Sequence, residues 1–195
     1  MRIISTKRKN NNFFVKTFKI LLILAILLVI LFYFLKKFIY PIKYFDIIEE
    51  EAKKNNIDPY LVLSIIKVES GFNEYAVSNK DAKGLMQIMD STAAQVNEYT
   101  NSTEDIDSEI FIPDVNISIG CKYFSNLIKK YDGNYYVAIC AYNAGLGNVD
   151  SWINKGIITK DLDRYKNVQE IPFNQTKKYL EKVVSAYKMY KLLYK

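Results

Sequence analysis

One glutamate, Glu69, closes the apolar run "LVLSIIKVE" and opens onto "SGFNEYAVSNKDAKG", a loop of small and polar residues. The chain has no histidine, so a Ser–His triad, a Cys–His pair and an HExxH zinc site are excluded. Proton transfer must then rest on carboxylate, tyrosine, lysine or cysteine. A glutamate at the end of an apolar helix suits that work. The helix C-terminus carries partial negative charge and disfavours a carboxylate beside it. Partial desolvation by "LSIIKV" acts in the same direction and favours the protonated form. From position alone Glu69 reads either as a general acid with a raised pKa or as a solvated surface residue beside Lys67.

The elements that position it follow from periodicity. "IKYFDIIEEEAKKNN" sets Ile42, Phe45, Ile48 and Ala52 at helical spacing. In "NIDPYLVLSIIKVESG", Asp58 is placed to cap, Pro59 sits at the first helical position and Gly71 ends the helix. "DVNISIGCKYFSNLIKKYDG" puts Ile117, Cys121, Phe124 and Ile128 on one face. "NYYVAICAYNAG" reads as a helix ending at Gly145, "NVDSWINKG" as a short one, and "NQTKKYLEKVVSAYKMYKLLY" as a long closing helix. No stretch alternates with period two between hairpin turns. The expected fold class is mostly α. Cys121 and Cys140 lie among apolar neighbours and read as buried thiols, although a disulfide between them stays open.

Charge and hydropathy divide the chain. Residues 1–40 carry eight Lys or Arg and no acid, while the remainder carries 19 basic and 21 acidic residues. The net charge of +6 thus belongs to the N-terminal segment, and the domain offers no basic face for nucleic acid. "ILLILAILLVILFYFL" (residues 20–35) is uncharged and bracketed by Lys19 and Lys36-Lys37. At about 1.5 Å per residue it spans roughly 24 Å, which flanking apolar residues and snorkelling lysines extend toward a bilayer core of roughly 30 Å. It lacks a small-x-small cleavage site, so an uncleaved anchor is expected rather than a signal peptide. Arg2, Lys7, Arg8, Lys9, Lys16 and Lys19 precede the span. The positive-inside bias then leaves the N-terminus in the cytoplasm and the rest outside. The expected organisation is a basic segment at 1–19, a transmembrane anchor at 20–40 and one domain at 41–195.

Residues 57–100 resemble the catalytic core of the soluble lytic transglycosylase family of peptidoglycan-cleaving enzymes, and further blocks follow in family order. "ESGFN" is similar to the family's Glu-Ser block, Ser78 with "AKGLMQIM" to its Gly-Leu-Met-Gln block, and "DVNISIGCKYFSNLI" to its Asn-Ile-x-x-Gly segment. "AYNAGLGNV" and "IPFNQTKKYLEKVVSAY" resemble the two closing blocks. The resemblance implies a lysozyme-like fold, shared with goose-type lysozymes, behind the N-terminal helix. It also implies cleavage of the MurNAc–GlcNAc bond with Glu69 as the single acid/base. The muramic C6 hydroxyl supplies the nucleophile and leaves a 1,6-anhydro end. Ser78 is implied to orient the substrate or Glu69, and Gln87 to contact sugar hydroxyls and N-acetyl groups. Met86 is implied as groove wall or core. Tyr142 would steady the Glu69 proton or stack on sugar, Asn143 belongs to the same block, and Tyr179 would line the groove.

Four departures from the family pattern stand out: Glu74, Asp81-Ala82, Asp90 and Gln175-Thr176-Lys177. Asp81 and Asp90 open an alternative, a hydrolytic muramidase in which one of them activates water. A third reading is a peptidoglycan-binding scaffold without catalysis. No metal or organic cofactor is implied, and "STEDIDSEIF" reads as a solvated acidic loop. The expected partners are peptidoglycan strands and the membrane, with no protein partner named by the sequence.

Overall fold

A computed structural model describes residues 5–100, 109–162 and 168–195, with the backbone alone described at 5–12 and 97–100. It divides into two compact units, Met1–Pro41 and Ile42–Lys195.

In the first unit, helix α1 (Ser5–Phe34) runs into a single wide turn of π-helix at Leu35–Ile39, closed by the Tyr40 N–H on the Leu35 carbonyl at 2.8 Å. The stretch Phe13–Ile39 is 27 residues long and apolar enough to cross a membrane. At about 1.5 Å per residue it is roughly 40 Å long, ample for a bilayer core. The helix is thus longer than the uncharged run read from sequence. Its lysines sit over aromatic rings near one end, Lys36 Nζ 5.3 Å from the Phe32 centroid and Lys37 Nζ 5.5 Å from that of Phe38.

The second unit is helical, with no strand among the described residues, as the sequence predicts. Its helices are α2 (Phe45–Lys54), α3 (Pro59–Glu69), α4 (Asp90–Thr100), α5 (Pro113–Lys130), α6 (Tyr135–Ala144), α7 (Leu146–Asn154) and α8 (Asn174–Tyr194). A short 3-10 turn, Val168–Glu170, precedes α8. Helix α3 packs chiefly on α8, and α6 is held among α5, α7 and α8. Six consecutive residues of α3, Leu61 to Ile66, are buried, so this helix is enclosed on more than one face.

Local signals set its ends. Asp58 Oδ1 accepts the Tyr60 N–H at 2.9 Å and Pro59 occupies the first turn, while Asp58 Oδ2 accepts the Tyr187 hydroxyl of α8 at 2.7 Å. The cap therefore also ties α3 to α8. Helix α6 is capped by Asn134 and ends at Gly145 (φ +84°), where a left-handed backbone favours glycine. Helix α4 was not anticipated: only Ala93 and Val96 of its described side chains are buried, a weak apolar stripe. Cys121 and Cys140 are buried free thiols, and burial pushes both thiols up. The acidic stretch of residues 102–108 lies outside the described residues.

Candidate active site

Glu69 is the last residue of α3. The chain then turns back through Gly71 (φ +60°) and Phe72 (φ +68°) into an irregular segment that returns to α3 at Leu85. Ser70 makes that return: its hydroxyl donates to the Leu85 carbonyl at 2.8 Å and accepts the Phe72 N–H at 3.2 Å. Two isolated bridges, Val77 with Lys83 and Lys83 with Ile88, fold the segment on itself. Ser78 Oγ accepts the N–H groups of Lys80 and Ala82, so its oxygen fixes the tip of this loop.

The buried Asn116 of α5 holds the other side. Its Oδ1 accepts the Met86 N–H at 2.8 Å, and its Nδ2 donates to the carbonyls of Ile110 at 2.8 Å and Lys83 at 3.0 Å. The approach is close enough to require a glycine opposite, since a Cβ on Gly84 would stand 2.2 Å from Asn116 Nδ2. Met86 is pressed equally closely onto Gly120, where a Cβ would meet its sulfur at 2.3 Å. These contacts account for the small and amide residues of the "GLMQ" and "NISIG" blocks: a side chain of each block lies directly on a glycine of the other.

Around Glu69 lies a cleft of about 700 Å³. Ser78, Gln87, Tyr123, Tyr142, Asn143 and Gln175 help to line it, and Glu69 is the one carboxylate among its described lining residues. Tyr179 reaches across from α8 and donates its hydroxyl to Glu69 Oε1 at 2.6 Å. Burial pushes the Glu69 carboxyl up to about 7, and the Tyr179 bond pulls it part of the way back. The phenols of Tyr142 and Tyr179 are held well above their ordinary value, first by burial and then by the nearby Glu69 charge. Both therefore act as neutral donors at physiological pH. Among the described residues no three His, Cys, Asp or Glu side chains gather as a metal site.

The site residues named from sequence fall into distinct places. Ser78, Gln87, Tyr142 and Asn143 line the cleft with Glu69. Met86 does not: it is fully buried, because Gly120 leaves a socket for its side chain and both its backbone groups are engaged. The Tyr142 hydroxyl donates to the Met86 carbonyl at 2.8 Å, and the hydroxyl that donates to Glu69 comes from another tyrosine. That role falls to Tyr179, expected only to line the groove. The Gln87 amide spends its donor half on the Ala76 and Gly84 carbonyls, which leaves its oxygen for the cleft. Asn143 Oδ1 accepts the Thr176 hydroxyl at 2.9 Å, joining the end of α6 to the start of α8. Asp81 and Asp90 are not among the lining residues, and Asp90 is engaged by Lys83 Nζ at 2.7 and 2.9 Å. Sequence reasoning missed the hub role of Asn116 and the cleft position of Tyr123. An asparagine inside the apolar stripe of α5 was the available signal for the first.

The Tyr179 bond has a measurable consequence. Because that bond lowers the Glu69 pKa, its removal in Tyr179→Phe is expected to raise it above about 7. The alkaline limb of the pH–rate profile for kcat/KM, where the acid form is lost, should move to higher pH. An unmoved limb would separate Tyr179 from the titration of Glu69.

Known proteins share this arrangement of sequence and fold. The transglycosylase SLT domain matches residues 46–164, more than half of the chain. Membrane-bound lytic murein transglycosylase C of Photorhabdus laumondii is 35% identical over 166 residues, which cover 76% of this chain and 46% of that protein. Soluble lytic murein transglycosylase of Salmonella typhimurium is 31% identical over 152 residues, 77% of this chain and 23% of the relative. The crystal structure of the 70 kDa soluble lytic transglycosylase from Escherichia coli superposes with a TM-score of 0.73 at 27% identity, over 78% of this chain and 25% of that one. The chain thus spans about a quarter of its soluble relatives and just under half of the membrane-bound one.

Proposed function

The chain belongs to the transglycosylase SLT domain family, and on that premise we propose that it is a membrane-anchored lytic transglycosylase. It cleaves the MurNAc–GlcNAc β-1,4 bond of peptidoglycan and leaves 1,6-anhydromuramic ends. The observation that carries this reading is the lone carboxylate: Glu69 is the only acid among the described residues lining the cleft. Its pKa near 7 suits it to serve in turn as acid and base at neutral pH.

The steps follow from that single group. Protonated Glu69 donates to the glycosidic oxygen as the C1–O bond breaks and oxocarbenium character develops on the muramic sugar. The resulting carboxylate, stabilised by the Tyr179 hydroxyl, takes the proton from the muramic C6 hydroxyl. That oxygen closes on C1, and no water is consumed. An inverting hydrolase would instead need a second carboxylate, about 6.5–9.5 Å from the first, to activate water. Asp81 and Asp90 lie outside the lining, and Asp90 is paired with Lys83, so the geometry favours the internal nucleophile. Gln87, Ser78 and Asn143 offer polar atoms along the cleft for hydroxyl and acetamido groups.

Phe13–Ile39 is the proposed anchor, with the basic residues before it cytoplasmic and the catalytic domain on the outer face. Mass spectrometry of peptidoglycan digested with the full chain in detergent tests the chemistry. The expected products are muropeptides lighter by one water than their reducing counterparts. Reducing ends would assign hydrolysis, and intact strands would assign a scaffold.

A further inference from the structure

Glu74 departs from the family pattern and has no part in the steps above, yet its carboxylate is engaged. Tyr44 donates its hydroxyl to Glu74 Oε2 at 2.8 Å, from 30 residues away along the chain. Tyr44 lies just beyond the apolar stretch that ends at Ile39, and it opens α2, where its carbonyl accepts the Ile48 N–H at 3.0 Å. Its backbone is held at φ +57°, in the left-handed region that a non-glycine residue adopts only at a cost. The exposed Tyr75 shares the Glu74 carboxylate but belongs to the same loop. Tyr44 is therefore the contact that ties Glu74 to another element.

Glu74 itself sits in a tight turn between two parts of the cleft. On one side lies Glu69, and the Asn73 N–H is bonded to the Ser70 carbonyl at 3.2 Å. On the other, the Ala76 N–H meets the Asn73 carbonyl at 3.3 Å, and Asn73 Oδ1 accepts the Tyr75 N–H at 3.1 Å. The Ala76 carbonyl then accepts both the Gly84 N–H at 2.8 Å and Gln87 Nε2 at 3.1 Å. Gln87 Nε2 also donates to the Gly84 carbonyl at 3.0 Å. The orientation of the Gln87 amide in the cleft thus depends on where the Ala76 carbonyl stands.

We infer that Tyr44 and Glu74 are positioning residues for the cleft, acting through the Ala76 carbonyl on the Gln87 amide that meets the glycan strand. The inference rests on the proposed function above and adds the support that fixes one of its substrate contacts. A turn closed by short-range bonds moves as a unit, so releasing Glu74 lets the Ala76 carbonyl shift. A shifted carbonyl turns the Gln87 amide, whose oxygen is the part left for sugar hydroxyls and acetamido groups. Glu69 lies outside this path, because it closes α3 and is held by Tyr179 from α8. Substrate binding should therefore change while proton transfer does not.

The test uses the full chain in detergent and purified peptidoglycan strands. KM, kcat and the alkaline limb of the pH–rate profile are measured for each variant and referred to its folded fraction. Tyr44→Phe and Glu74→Ala are each expected to raise KM about fivefold, the scale of one lost hydrogen bond, with kcat and the limb unmoved. Glu74→Gln keeps an acceptor for the Tyr44 hydroxyl and should retain the wild-type KM. In a Gln87→Ala background, Tyr44→Phe should add nothing further to KM. An unchanged KM in Tyr44→Phe or Glu74→Ala overturns the inference. So does a KM that rises as far in Glu74→Gln, or that rises again on the Gln87→Ala background. If the wild-type chain leaves the strands uncleaved, the proposed function fails, while co-sedimentation of the same variants with the strands still decides the inference through Kd.

Discussion

Glu69→Gln is expected to lower glycan cleavage by about 10²- to 10⁴-fold, the usual contribution of a positioned general acid, and at the same time to make the protein more stable at alkaline pH. The first effect follows from the cleft having no other carboxylate in its described lining. The glutamine keeps the size of the side chain and an oxygen for the Tyr179 hydroxyl but cannot donate a proton to a leaving oxygen. The second follows from the pKa. Burial raises Glu69 from an ordinary 4.5 to about 7, so the folded chain binds more protons than the unfolded one between those values. The stability associated with the protonated form is fully present below about pH 4.5 and is lost as pH rises through about 7. At about 1.36 kcal/mol per unit, the accumulated loss at alkaline pH is about 3 kcal/mol. Glutamine does not titrate and escapes it. Urea unfolding of both chains at about pH 4 and about pH 9 should therefore give a gap that opens only on the alkaline side. Equal gaps at both pH values would mean that Glu69 is not desolvated in the fold. Undiminished cleavage by Glu69→Gln would move the catalytic role elsewhere.

Asn116→Leu is expected to cost the domain about 3–5 kcal/mol and to abolish cleavage without touching a residue of the cleft. The substitution strands the Met86 N–H and the carbonyls of Lys83 and Ile110, which Asn116 pairs at 2.8–3.0 Å. Each buried unpaired group costs about 1–3 kcal/mol, with incomplete additivity among neighbours. Against a typical domain stability of about 5–15 kcal/mol, that is a large fraction. Leucine also adds branched bulk where Gly84 already passes within contact of the amide. Urea unfolding gives the stability loss, and a cleavage assay on the surviving folded fraction gives the second effect. A loss below about 1 kcal/mol would show that water satisfies the stranded groups.

The cap and the acid of α3 were legible in the sequence because both are local. Asp58 and Pro59 announce where the helix starts, and the change from "LSIIKVE" to "SGFN" announces where it stops. The partner of Glu69 was not legible. The chain has sixteen tyrosines, and Tyr179 is 110 residues from Glu69 along the chain. Only the packing of α3 on α8 selects it over Tyr142. Gln87 was read as a cleft residue, and its neighbour Met86 in the same motif was left between groove wall and core. The backbone between Gly84 and Ile88 turns one of them into the core and, with Gln87 at φ +50°, leaves the other at the cleft. A local motif names the residues of such a turn but not the side each one faces. Helix α4 was missed for a different reason, since its apolar stripe is too thin to register without α5 beneath it.

The segment between Gly84 and Ile88 is fastened by Ser70 at the C-terminal cap of α3, Asn116 from α5 and Tyr142 from α6. It behaves as the keystone of an arch rather than as a flap. The conformational entropy of this wall is surrendered once, at folding, when three helices close on it. A strand bound as proposed would meet a surface already in its working shape, and its binding free energy would not be spent on ordering that wall. For a polymer that presents the same repeat again and again, the cost of preparing the site is not incurred anew at each bond.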